Sequence, residues 1–362
     1  MKILGIESSC DETAASVVED GRKLLSNVVN SQIDIHAHYG GVIPEVAARS
    51  HIEVINPVIN QALSDASLTW DDIDAIAVTY APGLIGSLLV GTLAARTLSI
   101  TKNKPLYPVH HVEGHVYANF ITEQADHLEL TLPSKQPEFP MLALIVSGGH
   151  SQLALFKSHG DYELLGQTQD DAVGEAYDKV AKILGYPYPG GPAVDKAALE
   201  GDPYKYPLPK ARLKNPYDFS FSGVKTAVLR AVQHEVGVDY TFPSYGLAAR
   251  LNDAQRVDFA ASFQRVANET LVDAAEKAFI EHQPKSVVIA GGVAASRALR
   301  KMLSERLPLA IEYAPMSLCT DNAAMIATLG YYYAQAKEPC DPYSLEVIPS
   351  ISMTKTAWNK SE

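Results

Sequence analysis

Two histidines one helical turn apart, and a carboxylate far from them in the chain, are the residues best suited to metal chemistry. The run His111-Val112-Glu113-Gly114-His115 follows an apolar stretch at 106–109. If 112–122 is helical, His111 and His115 share one face, and two imidazoles at that separation can hold one metal ion. The plain alternative is a pair of ordinary residues on a surface helix. A protease reading fails on geometry. A zinc-protease helix carries Glu directly after the first His, where this chain has Val112. Glu113 falls about 200° around the helix from His111 and cannot serve as that base.

A third ligand is best sought in Cys319-Thr320-Asp321-Asn322, where a carboxylate opens a helix of small residues at 323–329. The competing reading is that Asp321 simply caps that helix. Two His and one carboxylate leave coordination positions open, which suits iron(II) or zinc acting as a Lewis acid. Asp11 and Glu12, in the polar loop at 8–13, are candidates for taking a proton, or else they cap the turn.

The elements around these residues are written twice. Residues 3–7, a polar loop at 8–13 and a second strand at 14–18 are followed, after Asp20-Gly21, by a third strand at 24–29. The pattern returns as a strand at 142–146, the loop Ser147-Gly148-Gly149-His150 and a strand at 152–156. After Gly160-Asp161 comes a strand at 162–167. Apolar runs bounded by Gly, Ser and Asp are the usual signal for strands and turns. Each half then reads as helices and a buried strand entering a glycine turn. These are 75–79 with Pro82-Gly83, and 286–290 with Gly291-Gly292. Small residues in such loops expose backbone N–H groups that can cradle phosphates.

This duplicated α/β layout resembles the actin, hsp70 and sugar-kinase superfamily, whose ATP lies between two such lobes. It predicts a first lobe at 1–122, completed by a C-terminal helix at about 323–340, and a second lobe at 123–322. The proline-rich stretch at 123–140 reads as the connection, and 343–362 as a weakly ordered tail.

Composition sets the limits. The 362 residues suffice for two domains, and 47% hydrophobic with 20% charged residues is the balance of a soluble globular protein. No stretch approaches the roughly 20 apolar residues of a membrane span. An early charge in Met1-Lys2-Ile3 argues against a signal peptide. Three cysteines form neither a zinc spacing nor a disulfide framework, as expected of a cytoplasmic protein. A net charge of −12 argues against wrapping nucleic acid with the bulk surface. A local exception lies at 204–225, where Lys205, Lys210, Arg212, Lys214 and Lys225 alternate with Tyr206, Tyr217, Phe219 and Phe221. Positive charge mixed with aromatic rings suits an unstacked RNA loop, although solvated lysines on a surface loop give the same pattern. The apolar helix at 88–98 reads as either a core element or an association face.

Seven motifs, taken in order, resemble the bacterial TsaD family, the tRNA adenosine threonylcarbamoyltransferase subunits once labelled glycoproteases. They are Gly5-Ile6-Glu7-Ser8-Ser9-Cys10-Asp11-Glu12-Thr13, His111 to His115, Ser147-Gly148-Gly149-His150, and Asp170-Asp171-Ala172-Val173-Gly174-Glu175-Ala176-Tyr177-Asp178-Lys179. Tyr188-Pro189-Gly190-Gly191-Pro192, Phe219-Ser220-Phe221-Ser222-Gly223-Val224-Lys225-Thr226 and Cys319-Thr320-Asp321-Asn322 complete the set. The resemblance runs to about residue 340. It implies transfer of threonylcarbamoyl from threonylcarbamoyl-adenylate to N6 of the adenosine beside the anticodon, in tRNAs reading codons that begin with A.

The resemblance also implies site residues. His111, His115 and Asp321 match the family's ligands for one divalent ion, Fe(2+) or Zn(2+). Ile145, Val146, Ser147, Gly148 and Gly149 match its substrate segment, and Asp178, Gly191 and Asp195 match further contacts to the adenylate. Where the family has Asn after Gly-Gly-Val-Ala-Ala, this chain has Ser296, which keeps a hydroxyl but loses the paired donor and acceptor of an amide. The partners implied are tRNA, a smaller paralogue of the same fold and a small P-loop ATPase, with no membrane. A sugar kinase of the same fold would not need the histidine pair. An inactive scaffold would not be expected to keep both that pair and the glycine loops.

Overall fold

The computed structural model describes residues 1–355. The chain opens with strands β1 (Lys2–Glu7), β2 (Glu12–Glu19) and β3 (Lys23–Ser31), then helices α1 (Ile33–Tyr39) and α2 (Pro44–Asp65). Strand β4 (Ala75–Ala81) leads into α3 (Ile85–Lys102), and β5 (Leu106–His110) leads directly into α4 (His111–Tyr117). After the short β6 (Glu123–Gln124) come β7 (Met141–Val146), β8 (Ser151–Ser158) and β9 (Asp161–Gln167). Helices α5 (Val173–Leu184), α6 (Gly190–Ala198), α7 (Ser222–Glu235) and α8 (Asp253–His282) precede β10 (Ser286–Ala290). Helices α9 (Arg297–Arg306), α10 (Met316–Cys319) and α11 (Ala323–Ala336) follow. None of the described helices is long and apolar enough to cross a membrane.

Two compact units result. The first holds Met1–Phe139, Phe156–Tyr162 and Glu312–Glu362, and the second Pro140–Leu155 and Glu163–Ile311. The first unit is built on a six-stranded sheet in the order β5-β4-β1-β2-β3-β6. Strand β1 pairs antiparallel with β2 and parallel with β4. Side chains alternate across a strand. Thus Leu4 and Ile6 enter a core with Ile55, Val58, Ile59, Ile76 and Val78, under α2. Gly5 meets α11 on the opposite face. A Cβ at Gly5 would stand 2.3 Å from the Ala323 carbonyl oxygen, so only glycine lets α11 lie this close to the sheet.

The second unit repeats the plan with a four-stranded sheet ordered β10-β7-β8-β9, in which β10 runs parallel to β7. In both units a meander of three strands has a later parallel strand beside its first member. Every residue of β7 is fully buried, as its uninterrupted apolar sequence requires.

The unit boundaries fall elsewhere than at 122/123 and 322/323. Residues 123–139 stay with the first unit because Gln136 donates to the Phe120 carbonyl at 2.9 Å and Phe139 stacks on Phe120. The C-terminal stretch is laced to that unit as well. Arg96 donates to the Pro342, Tyr343 and Leu345 carbonyls, Ile348 N–H to Tyr80 O, and Gly83 N–H to Pro349 O. Residues 356–362 of the expected tail lie outside the described residues.

Candidate metal centre and glycine loops

Three elements of the first unit bring the histidines and the distant carboxylate together. Strand β5 ends at His110, which caps α4, so His111 and His115 project from one face with ring centroids 4.7 Å apart. Helix α11 is capped by Asn322, whose side chain accepts from Met325 N–H. The capping role considered for Asp321 therefore belongs to its neighbour. The Asp321 carboxylate instead lies 3.5 Å from His111 Nε2 and 3.3 Å from His115 Nε2. One ligand atom from each of the three falls within 4.8 Å of the others.

The donor set fits a divalent cation. His115 is buried, and among the described residues its ring nitrogens make no hydrogen bond, Nε2 meeting only the Asp321 carboxylate at 3.3 Å. An orphaned buried imidazole is costly, and an ion between it, His111 and Asp321 would satisfy it. His111 is held from behind. Its Nδ1 lies 3.0 Å from Glu7 Oε2, which fixes the tautomer that presents Nε2 outward. Glu7 is fully buried and also accepts from Ser9 N–H at 2.5 Å and Thr79 Oγ1–H at 2.6 Å. Burial opposes the charged form of the His111 ring, but the Glu7 and Asp321 carboxylates outweigh it and push its pKa up to about 9. Burial likewise works against the Glu7 carboxylate, and the His111 ring and the Ser9 side chain hold it below the usual range. The pocket favours positive charge. Glu7 escaped the sequence reading of roles, although a carboxylate closing a buried strand and opening a polar motif was a visible signal.

Of the two hairpin carboxylates, Glu12 accepts from Ser31 Oγ–H. Burial first, then Asp321 and Asp11, push its pKa up to about 10.

The glycine loops belong to the second unit. Ser147 N–H donates to His150 O and His150 N–H to Ser147 Oγ, closing a tight turn after β7. Ile145 and Val146 are fully buried strand residues and offer only backbone. A Cβ on Gly148, Gly149 or Gly191 would meet nothing within 4 Å, so all three backbones face open space. Gly174 allows α5 to start against this turn, where a Cβ would stand 2.7 Å from Ser147 O. Asp178 accepts from Gly190 N–H at 2.7 Å and ties α5 to the start of α6. Asp195 Oδ1 accepts from Gln264 at 2.8 Å and from Ser296 Oγ–H at 2.6 Å. Ser296 also caps α9 by accepting from Leu299 N–H. Its hydroxyl is engaged with Asp195, and Gln264 is a member of this group that spacing alone did not reveal.

The basic and aromatic segment is largely committed to internal contacts. Phe219 and Phe221 are fully buried, and Tyr206 stacks on Phe259. Lys225 pairs with Asp171 at 2.6 Å and Lys210 pairs with Asp273. Asp170 accepts from the Phe221 and Ser222 amides and from the Ser220 and Ser222 hydroxyls. The two acidic residues and the Ser-Phe-Ser-Gly-Val-Lys run therefore hold each other. Lys205, Arg212 and Lys214 remain exposed, with no ion pair to other described residues.

A family model described as tRNA N6-adenosine threonylcarbamoyltransferase (TsaD) matches residues 23–328. The chain is 50% identical over 354 residues to the tRNA N6-adenosine threonylcarbamoyltransferase of Symbiobacterium thermophilum, covering 97% of this chain and 96% of that protein. Against the protein of the same name from Thermomicrobium roseum it is 50% identical over 346 residues, covering 92% of each. Among solved structures, the activator of the 2-hydroxyisocaproyl-CoA dehydratase from Clostridium difficile with bound ADPNP matches at a TM-score of 0.50 and 11% identity. That match covers 97% of this chain and all of that one. At such identity the likeness is one of fold alone.

Proposed function

The chain belongs to the TsaD family of tRNA N6-adenosine threonylcarbamoyltransferases, and we propose that it moves threonylcarbamoyl from its adenylate to N6 of the adenosine beside the anticodon. The substrate tRNAs are those reading codons that begin with A. The observation that carries the metal-dependent form of this reading is the meeting of His111, His115 and Asp321, with Glu7 behind His111.

An exocyclic adenine amine is a poor nucleophile, because its lone pair is delocalised into the ring. Transfer therefore needs an activated carbonyl and close positioning. Iron(II) or zinc bound by His111, His115 and Asp321 would supply Lewis-acid polarisation. The protein groups do the rest. Ser147, Gly148 and Gly149, with backbone offered by Ile145 and Val146, bind the donor's phosphate and adenylate. Asp178 orients the start of α6, and Gly191 gives its backbone there. Asp195 accepts from the donor's hydroxyls while Ser296 holds its other oxygen. Asp11 and Glu12 are the candidates for taking the amine proton. The burial that keeps a proton on Glu12 turns this assignment toward Asp11.

The reading is tested by incubating the protein with threonylcarbamoyl-adenylate, cognate tRNA and the partner proteins, then measuring nucleosides by mass spectrometry. Modified adenosine should form only when this chain is present. Unmodified tRNA with a verified donor and partner set would contradict the assignment.

Lys205, Arg212 and Lys214 are the cations left to meet RNA phosphate. Changing all three to Glu should weaken tRNA binding and lower the salt slope by about 1 for each phosphate no longer neutralised. Unchanged binding and slope would place the RNA face elsewhere.

The smaller paralogue is assigned to the outer stripe of α3, where Ile85, Leu89 and Leu93 recur every fourth residue and are exposed. The opposite face of that helix, with Leu88, Gly91 and Ala95, is buried, which gives the core reading of the 88–98 segment to that face and leaves the exposed stripe as the one proposed for association. The double variant Leu89→Glu, Leu93→Glu should raise the dissociation constant about 100-fold or more, as expected for withdrawing two buried leucines. Light scattering on the mixed proteins reads the outcome, and intact association would clear this face. The P-loop ATPase and a cytoplasmic location complete the proposal.

A further inference from the structure

Helix α4 carries both histidines on one face, and its other contacts show what holds it there. His110 caps it, with Nδ1 accepting from Glu113 N–H at 3.4 Å, while Nε2 lies 3.1 Å from the Ile351 carbonyl. Only one tautomer satisfies both contacts, with the proton on Nε2 and donated to residue 351. One turn further on, Glu113 is fully buried, and its Oε2 lies 3.1 Å from the hydroxyls of both Tyr162 and Tyr333. The Tyr162 hydroxyl also lies 2.6 Å from the Met353 carbonyl, and Met353 is fully buried. Residues 351 and 353 thus reach the back of α4 at two points, through His110 and through Tyr162.

The same stretch is pinned upstream. Cys340 N–H donates to Leu106 O, Arg96 spans three carbonyls between 342 and 345, and residues 348 and 349 bond to Tyr80 and Gly83. A segment tied at this many backbone positions has one path across the unit, so its far end meets α4 at a set place. All of these groups lie within the first unit.

We propose that the C-terminal segment 340–353 is a brace for the metal centre, with His110 and Tyr162 as positioning residues that fix the angle at which α4 presents His111 and His115. Neither touches the ion. Each transmits the position of the segment to a helix whose two ligands must stay in register with Asp321. Groups hydrogen-bonded to the ligands themselves alter metal affinity about 10- to 100-fold, and contacts one step further out are expected to reach the lower end of that range. The inference rests on the metal reading above.

The test uses cobalt(II) as the probe ion on the full chain, reading its dissociation constant and its visible d–d spectrum. Melting temperature is measured alongside. Three variants separate the contacts. His110→Asn keeps a capping oxygen but cannot span to Ile351, Tyr162→Phe removes the hydroxyl shared by Glu113 and Met353, and Arg96→Met releases the segment far from α4. The expected result is weaker cobalt binding, by about tenfold, with a shifted d–d band in His110→Asn and Tyr162→Phe. A smaller effect in the same direction is expected for Arg96→Met, in protein that still melts cooperatively. Wild-type affinity and an unchanged spectrum in all three would overturn the brace. Failure of the wild-type chain itself to bind cobalt would instead overturn the metal reading on which the brace rests.

Discussion

Replacing His111 and His115 together with alanine should abolish ion binding and lower transfer to tRNA by at least about 100-fold. That is the scale of losing several kcal/mol of charge stabilisation at the reacting carbonyl. The effect should be on turnover. The groups assigned to the adenylate, from Ser147 to Gly149 with Asp178 and Asp195, lie in the second unit and are covalently untouched by the change. Donor binding, measured by calorimetry with a non-reacting adenylate, should therefore change by less than the rate does. Equal losses in binding and in rate would mean that the histidines bind donor without activating it. Truncating His115 leaves a cavity, and truncating His111 takes a partner from the buried Glu7 carboxylate. The variant should therefore still fold, but with stability lowered by about 1–3 kcal/mol for the lost partner besides the cavity cost.

Glu7→Gln is the second large effect. The carboxylate takes three donors: Ser9 N–H, Thr79 Oγ1–H and the His111 Nδ1 side. An amide of the same shape has one acceptor oxygen and one donor nitrogen, so at least one of these donors must face an N–H. With the amide oxygen at the Oε2 place the His111 ring keeps an acceptor but loses the carboxylate's charge, and with the amide nitrogen there it loses its anchor as well. Metal affinity should fall about 10- to 100-fold, and an unsatisfied buried donor should cost about 1–3 kcal/mol of stability. Metal titration and denaturant unfolding read the two losses separately. Wild-type affinity in a merely destabilised protein would reduce Glu7 to a structural role.

Much of this arrangement is legible in the chain, for identifiable reasons. Strand–loop–strand patterning recurs at 3–18 and 142–156 because a buried sheet demands apolar runs and its turns demand small polar residues, and the two sheets follow that repeat. The spacing of His111 and His115 is local, so helical periodicity alone places them together. Asp321 is different. Its residue type and place left ligand and N-cap both open, and only the family resemblance made it a ligand. The tertiary packing of α11 on β1 through Gly5 gives the capping role to Asn322 and sets the Asp321 carboxylate beside the histidines. Glu7 and Gln264 support other side chains across long sequence separations, and no local pattern records that.

Burial explains the misreadings as well. Phe219 and Phe221 alternate with polar residues just as exposed stacking rings would, yet Phe219 pairs with the sheet side through Thr168 and both rings enter the core. Residues 343–355 lack periodicity and so read as a loose tail. Their hydrogen-bond partners are backbone groups at 80 and 83 and the side chains of Arg96, His110 and Tyr162, and the apolar contacts of Leu345 and Met353 are too isolated to set up a period.

The most direct test of metal-dependent transfer is to strip the protein with chelator, reload it in steps with iron(II) or zinc, and follow modified adenosine in tRNA at each occupancy. The stripped protein should show negligible transfer, with a rise on reloading that saturates at one ion per chain. The same series on the His111→Ala, His115→Ala variant should stay flat throughout. Full transfer by metal-free protein, or a rise in the variant matching that of the wild type, would contradict metal-dependent transfer.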